Sequence, residues 1–291
     1  MLDWNTPKLS DKEWIEKCVK ESQYIGSDAA FANIYLLRSK YNIKVTYYKD
    51  LLIRYYEGLG NRKGYTFPLG RKDVLSALYA IEQDAKEMNR PLEFCFVTEE
   101  QKEILENTFA GRTESSSDAG DYDYIYGQPE LSLLSGRTYH KKKNHVSKFK
   151  RTYEDYMFCE IGNGNLDDVM LIEDEWYYDR LQQDDTSAMK EYEAIREAVD
   201  NFEELSLSGG IIYANNVPVA MTIASYINDA AVDIHFEKAV GEYAVNGGFA
   251  AINQMYASTL KDVKFINREE DINIPGLRKA KESYHPKFML K

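Results

Sequence analysis

The chain has 291 residues, 36 basic against 48 acidic, and a net charge of −12; 44% of it is hydrophobic and 29% charged. This is the composition of a soluble globular protein long enough for two domains. Its acidity excludes nucleic-acid binding by the whole surface but leaves room for a local basic track.

The first helix signal is Leu9-Ser10-Asp11-Lys12-Glu13-Trp14: Ser10 and Glu13 form a capping box, with Leu9 packing on Trp14. A second helix is expected over Ala29–Arg38. Ile43–Tyr48 and Leu51–Tyr56 are strand-like runs separated by Lys49-Asp50, which is hairpin spacing. A third strand is expected at Tyr65–Leu69, an amphipathic helix at Asp73–Met88, and a strand at Leu92–Val97. Thr98 and Gln101 make another capping box, for a helix to about Phe109. Gly111–Asp121 reads as a linker and Tyr122–Tyr126 as a strand.

The remainder opens on helix, broken near Gly136, with Tyr139, Val146, Phe149 and Tyr153 on one buried face. A strand at Tyr156–Ile161 follows. Asn165 is expected to cap a helix to about Leu181, and Thr186 or Ser187 to open another to about Leu205. Three strands come next, Leu207–Tyr213, Val217–Tyr226 and Ala231–Phe236, with turns at Asn215-Asn216 and Asn228-Asp229. Asn246-Gly247-Gly248 leads into a helix ending near Leu260. Val263–Ile266 is a strand and Gly276–Tyr284 a short helix, before a tail that can add a last strand. The chain thus reads as α+β in two units, 1–120 and 121–291, with a similar order of elements in each.

The cysteines Cys18, Cys95 and Cys159 are far apart and show no metal-ligand spacing. They predict reduced thiols, no metal site and a cytoplasmic setting. The N-terminal residues do not read as a secretory signal, and no apolar run approaches the roughly 20 residues of a membrane helix.

Charge is unevenly spread. Leu134–Tyr153 carries seven Lys or Arg, no Asp or Glu, and two of the 4 His. Lys141, Lys142 and Lys143 either contact phosphate or lie on a solvated face docked against acidic surface of the same chain. Asp233, His235 and Glu237 share one face of their strand if alternation is unbroken, so His235 or Glu237 can accept a proton from an attacking amine. Asn246, Gly247 and Gly248 form either a plain helix-entry loop or a phosphate cradle at a helix start. In the tail, Glu270 is placed to bind or deprotonate an amine, while Arg278, Lys279 and Lys281 hold phosphate or ribose. The alternative is that these acids and bases pair with one another.

The order of elements resembles two GNAT-like acyltransferase domains in tandem, each a mixed, mostly antiparallel sheet flanked by helices. Tyr139-His140-Lys141-Lys142-Lys143-Asn144-His145, followed by Phe149 and Tyr153, resembles a helix of the DUF2156 family. So do Phe67-Pro68-Leu69-Gly70, Asp123-Tyr124-Ile125-Tyr126, Asn267-Arg268-Glu269-Glu270-Asp271 and Gly276–Pro286. That family is similar to the C-terminal domain of phosphatidylglycerol lysyltransferases. The resemblance implies transfer of an aminoacyl group from a charged tRNA to an amine or hydroxyl, with the active cleft in the second unit and no tightly bound cofactor. The membrane-embedded portion of the lysyltransferases has no counterpart here, which puts a phospholipid acceptor in doubt. Glu237-Lys238-Ala239-Val240-Gly241 departs from the acyl-CoA pyrophosphate signature, so acyl-CoA is the second donor considered. A non-catalytic binding module with a degenerate cleft is the third reading.

Overall fold

The computed structural model describes residues 2–58, 60–182 and 188–291. Helices α1 (Lys12–Ser22) and α2 (Phe31–Leu36) come first, followed by strands β1 (Lys44–Tyr48), β2 (Leu51–Glu57) and β3 (Lys63–Tyr65). These strands form an antiparallel three-stranded sheet in the order β1-β2-β3. Lys49 and Asp50 take φ of 52° and 65°, the left-handed pair a tight two-residue hairpin turn requires. Helices α3 (Leu75–Glu87) and α4 (Glu99–Thr108) pack on one face of this sheet, around Leu51, Ile53, Leu78, Ile81 and Leu105. The Thr98 box forms as expected: the Gln101 amide donates to Thr98 Oγ1 at 3.3 Å, and the Thr98 amide donates to Gln101 Oε1 at 3.1 Å.

The second sheet begins with β4 (Asp123–Gly127). Then come α5 (Gln128–Leu133), α6 (His140–Thr152), β5 (Met157–Glu160), α7 (Leu166–Leu181) and α8 (Ala188–Asp200). Strands β6 (Ser208–Ala214), β7 (Val217–Asn228) and β8 (Ala231–Ala239) form a meander, with Asn215 and Asn216 both left-handed at its first turn. Helices α9 (Gly241–Val245) and α10 (Gly248–Thr259) cross over to β9 (Phe265–Asn267). Helix α11 (Pro275–Glu282) and β10 (Phe288–Leu290) end the chain. The sheet order is β10-β4-β9-β8-β7-β6-β5, with β8 and β9 its one parallel pair. The fold is therefore α+β, with a mixed sheet flanked by helices.

Helices α5, α6 and α10 cover one face of the large sheet. The other face meets α1, α2, α7, α8 and the small sheet in a single core. Ile15, Cys18, Ile43 and Leu52 join Ile172, Ile195, Met221 and Ile223 there. Within α6, Val146 and Phe149 are buried, as are Tyr139 and Tyr153 at its ends, so the expected apolar stripe is real.

Several expectations need correction. Asp11, not Ser10, organises the first helix: its carboxylate takes the Lys8 amide at 2.8 Å and Trp14 Nε1 at 3.2 Å, and α1 begins at Lys12. Leu92–Val97 makes a bridge to Tyr65 at Phe94 and no regular strand; Phe96, at φ 54°, turns the chain away. The strand expected at Tyr65–Leu69 pairs regularly over Lys63–Tyr65, and beyond that Leu69 bridges to Leu52. Asn165 occupies the N-cap position of α7 as expected, but its side chain makes no capping bond; it accepts the Gly162 amide and donates to the Glu160 carbonyl. The opening expected at Thr186 or Ser187 lies outside the described residues.

Candidate functional site

Strands β8 and β9 pair over three residues, Ala231–Asp233 against Phe265–Asn267. Beyond that point β8 continues along β7 to Ala239, while the chain leaves β9, so the two strands part. The gap is bridged by side chains. Arg268, just after β9, places Nη2 2.7 Å from Glu237 Oε1, and Asn253 of α10 donates to Glu237 Oε2 at 2.9 Å. The Arg268 guanidinium lies 4.7 Å from the Tyr284 ring and 5.7 Å from that of Tyr126. Its Nη1 is buried with no hydrogen-bond partner, a donor left over for an anion. Lys142 of α6 sets Nζ 3.7 Å over the same Tyr284 ring. Burial, and next the neighbouring Arg268 charge, lower the Lys142 pKa to about 8 against the pull of Glu237.

Asp233 and His235 face the other way. Ile223 pairs with Phe236 but Ala224 pairs with Ile234, so β8 carries one extra residue at His235. This β-bulge reverses the alternation. Glu237 therefore faces α10, while Asp233 and His235 face α2, which corrects the expectation that all three share a face. His235 Nδ1 lies 3.3 Å from Asp233 Oδ2 and 3.9 Å from Glu269 Oε1, and its Nε2 is 2.8 Å from Ser225 Oγ. Asn33 donates to Asp233 and Glu269, at 2.9 and 3.0 Å. Burial opposes a charged imidazole, but the Asp233 and Glu269 carboxylates outweigh it and raise the His235 pKa to about 9. Burial, reinforced by Glu269, pushes Asp233 upward. Next to this cluster, Asp123 accepts from the Ser27 amide and hydroxyl and from Asn267.

A cavity of about 1150 Å³ opens on the first-half side, with Asp28, Arg62, Cys95, Asp123, Glu270 and Lys291 among its lining residues. Of the expected site residues, Glu270 lines it and is ion-paired with Arg62. Glu237, Asn246 and Arg278 do not line it.

The remaining candidates are not brought together. Gly247 sits at φ 103°, and a Cβ there would come 2.4 Å from the His145 carbonyl oxygen; Gly248 is similarly close to Tyr243. The pair is glycine because α10 starts against the backbone of α6. Asn246 donates to the Tyr153 hydroxyl at 2.8 Å. Arg278 clamps Asp271 with two bonds, at 2.7 and 2.8 Å. Lys281 is buried, its amine donated to the carbonyls of Arg268 and Glu270, and Lys279 is exposed. Arg278 and Lys281 thus have protein partners.

The basic stretch behaves differently. Among the described residues, none of its seven Lys and Arg side chains forms an ion pair with an acid. Docking onto acidic surface of the same chain is therefore not what holds α6. Its apolar stripe does that, and Lys141, Lys143 and Arg151 remain exposed. Sequence reasoning missed Arg268 as a site residue, although the Asn267–Asp271 motif contains it.

A family model described as phosphatidylglycerol lysyltransferase, C-terminal, matches residues 20–291. The structure is similar to that of a conserved protein of unknown function from Bacteroides thetaiotaomicron, at 30% identity and TM-score 0.93, covering 100% of this chain and 97% of that one. It also matches the C-terminal DUF2156 domain of an Agrobacterium fabrum protein assigned as a lysylphosphatidylglycerol synthetase, at 13% identity and TM-score 0.64, covering 95% and 89%. A tandem GNAT protein of clavulanic acid biosynthesis aligns at 9% identity and TM-score 0.47, covering 99% and 96%. No curated protein matches. Among the described residues, no helix is long and apolar enough to cross a membrane.

Proposed function

The chain belongs to the family of the phosphatidylglycerol lysyltransferase C-terminal domain, and from that premise we propose that it transfers an aminoacyl group from charged tRNA to an amine or hydroxyl acceptor. In this reading the units 1–120 and 121–291 are two GNAT-like domains in tandem, and the second carries the transfer site. The observation that carries the donor assignment is α6. Seven cations lie on and around one helix of an acidic chain, without an ion pair to an acid among the described residues, and one of them, Lys142, reaches the gap between β8 and β9. Exposed lysines there meet tRNA phosphates, and the acyl ester lies toward Arg268.

The chemistry needs little from the protein. The ester is already activated, so positioning and stabilisation of the developing oxyanion carry the barrier. The attacking nitrogen or oxygen forms a bond to the carbonyl carbon, the ester C–O bond breaks, and the proton of the attacking group ends on the ribose hydroxyl. Arg268 Nη1 and Lys142 Nζ hold the oxyanion or the adjoining phosphate. Glu237, hydrogen-bonded at both oxygens, orients Arg268.

Binding of labelled aminoacyl-tRNA, followed from 50 to 200 mM salt, tests this. Affinity should fall linearly on a log–log plot, and K141A/K143A should flatten the slope by about 1–2. Absent or salt-independent tRNA binding overturns the reading, and tight acetyl-CoA binding in its place moves the donor to acyl-CoA.

A further inference from the structure

We propose that Asp233, His235 and Glu269 form a site for a divalent transition-metal ion, buried between α2 and the β8–β9 pair. One ligand atom from each lies within 4.8 Å of the others. His235 Nδ1 is 3.3 Å from Asp233 Oδ2 and 3.9 Å from Glu269 Oε1. Ligands held at about 2.0–2.2 Å around a tetrahedral ion are about 3.3–3.6 Å apart, so small side-chain adjustments close the set.

Two further observations point to an ion. The His235 side chain is 1% exposed, yet Nδ1 has no hydrogen-bond partner; Asp233 Oδ1, equally buried, has none either. An orphaned imidazole nitrogen aimed at two carboxylates is the arrangement a metal completes. Ser225 Oγ lies 2.8 Å from Nε2 and can accept that ring proton, the tautomer in which Nδ1 is the ligand. Asn33 donates to both carboxylates and fixes their orientation.

The second observation is charge. Asp123 and Asp233 are buried, where carboxylates are costly unless paired, and Glu269, its side chain 28% exposed, lies beside them. Two nearby cations are already committed, Arg54 to Asp28 and Arg62 to Glu270, while the Lys281 amine, held by backbone carbonyls, adds a single charge close to Glu269 and Asp123. Among the described residues, His235 supplies the ion-pair contacts of Asp233 and Glu269. A divalent ion balances what one imidazole cannot. One nitrogen and two carboxylate oxygens suit zinc, manganese, iron or cobalt better than calcium or magnesium.

The bulge in β8 builds this site by turning His235 onto the face of Asp233 and away from Glu237. The ion would tie β8 to the segment after β9 beneath α2, on the opposite side of the sheet from Arg268. Its role is structural and does not depend on the transfer reaction.

The test is cobalt(II) titration of full-length protein after chelator dialysis. We expect visible ligand-field bands that saturate at one equivalent, are displaced by zinc, and accompany a rise in melting temperature. H235Q and D233N should lose the bands. The wild-type titration decides the matter even if a variant fails to fold: no band and no stoichiometric metal in folded wild-type protein overturns the site. Bands unchanged in folded H235Q overturn it equally.

Discussion

Arg268 and Lys142 approach one tyrosine ring from different elements, and the consequence can be measured. Lys142 binds an anion only while protonated. Burial, then Arg268, lowers its pKa from 10.5 to about 8. Donor affinity should therefore fall as pH rises through about 8, and K142Q should remove that inflection. The stability sign runs the opposite way. Between about 8 and 10.5 the unfolded chain holds the proton that the folded chain has released, so this group's contribution to stability rises with pH across that window. Denaturant unfolding at pH 7.5 and 9.5, wild type against K142Q, checks it. At this scale the sequence was only partly legible. The buried stripe of Tyr139, Val146, Phe149 and Tyr153 follows from helical spacing. The facing of Glu237 does not, because one extra residue in β8 depends on how β7 pairs with it, and alternation cannot reveal that.

Among the elements, local chemistry was the readable part. Lys49-Asp50 and Asn215-Asn216 announce hairpins because Asp and Asn tolerate the left-handed region. The Thr98 box is likewise complete within four residues. Features that depend on distant partners were not readable. Leu92–Val97 has strand-like residues, but Tyr65 offers it one bridge. The Gly247-Gly248 pair looked equally like a phosphate cradle, and its meaning came only from α6 lying against it. G247A tests that packing. The backbone strain alone should cost about 1–3 kcal/mol, and contact with the His145 carbonyl should add to it. A melting temperature unchanged in G247A would contradict the packing described.

For the whole molecule, the order of elements suggested two similar units, but the core does not divide between them. Ile15, Ile43 and Leu52 share a cluster with Ile172, Met221 and Ile223. The Arg62–Glu270 and Asn33–Asp233 contacts cross the same boundary. Such sharing is invisible to periodicity, which reports that a face is buried but not against what. The two halves should unfold together. Tryptophan fluorescence and far-ultraviolet circular dichroism should trace one urea transition, and two separated midpoints would contradict this. The measurement that bears most directly on the proposed activity is the release of label from aminoacyl-tRNA in the presence of amine and hydroxyl acceptors, comparing wild type with R268Q. Wild-type protein should move the label into a product that is not tRNA. R268Q should do so at least about a hundredfold more slowly, the loss expected for one oxyanion donor, with tRNA affinity changed far less. Label that stays on the tRNA, or moves equally fast with R268Q, would contradict the account.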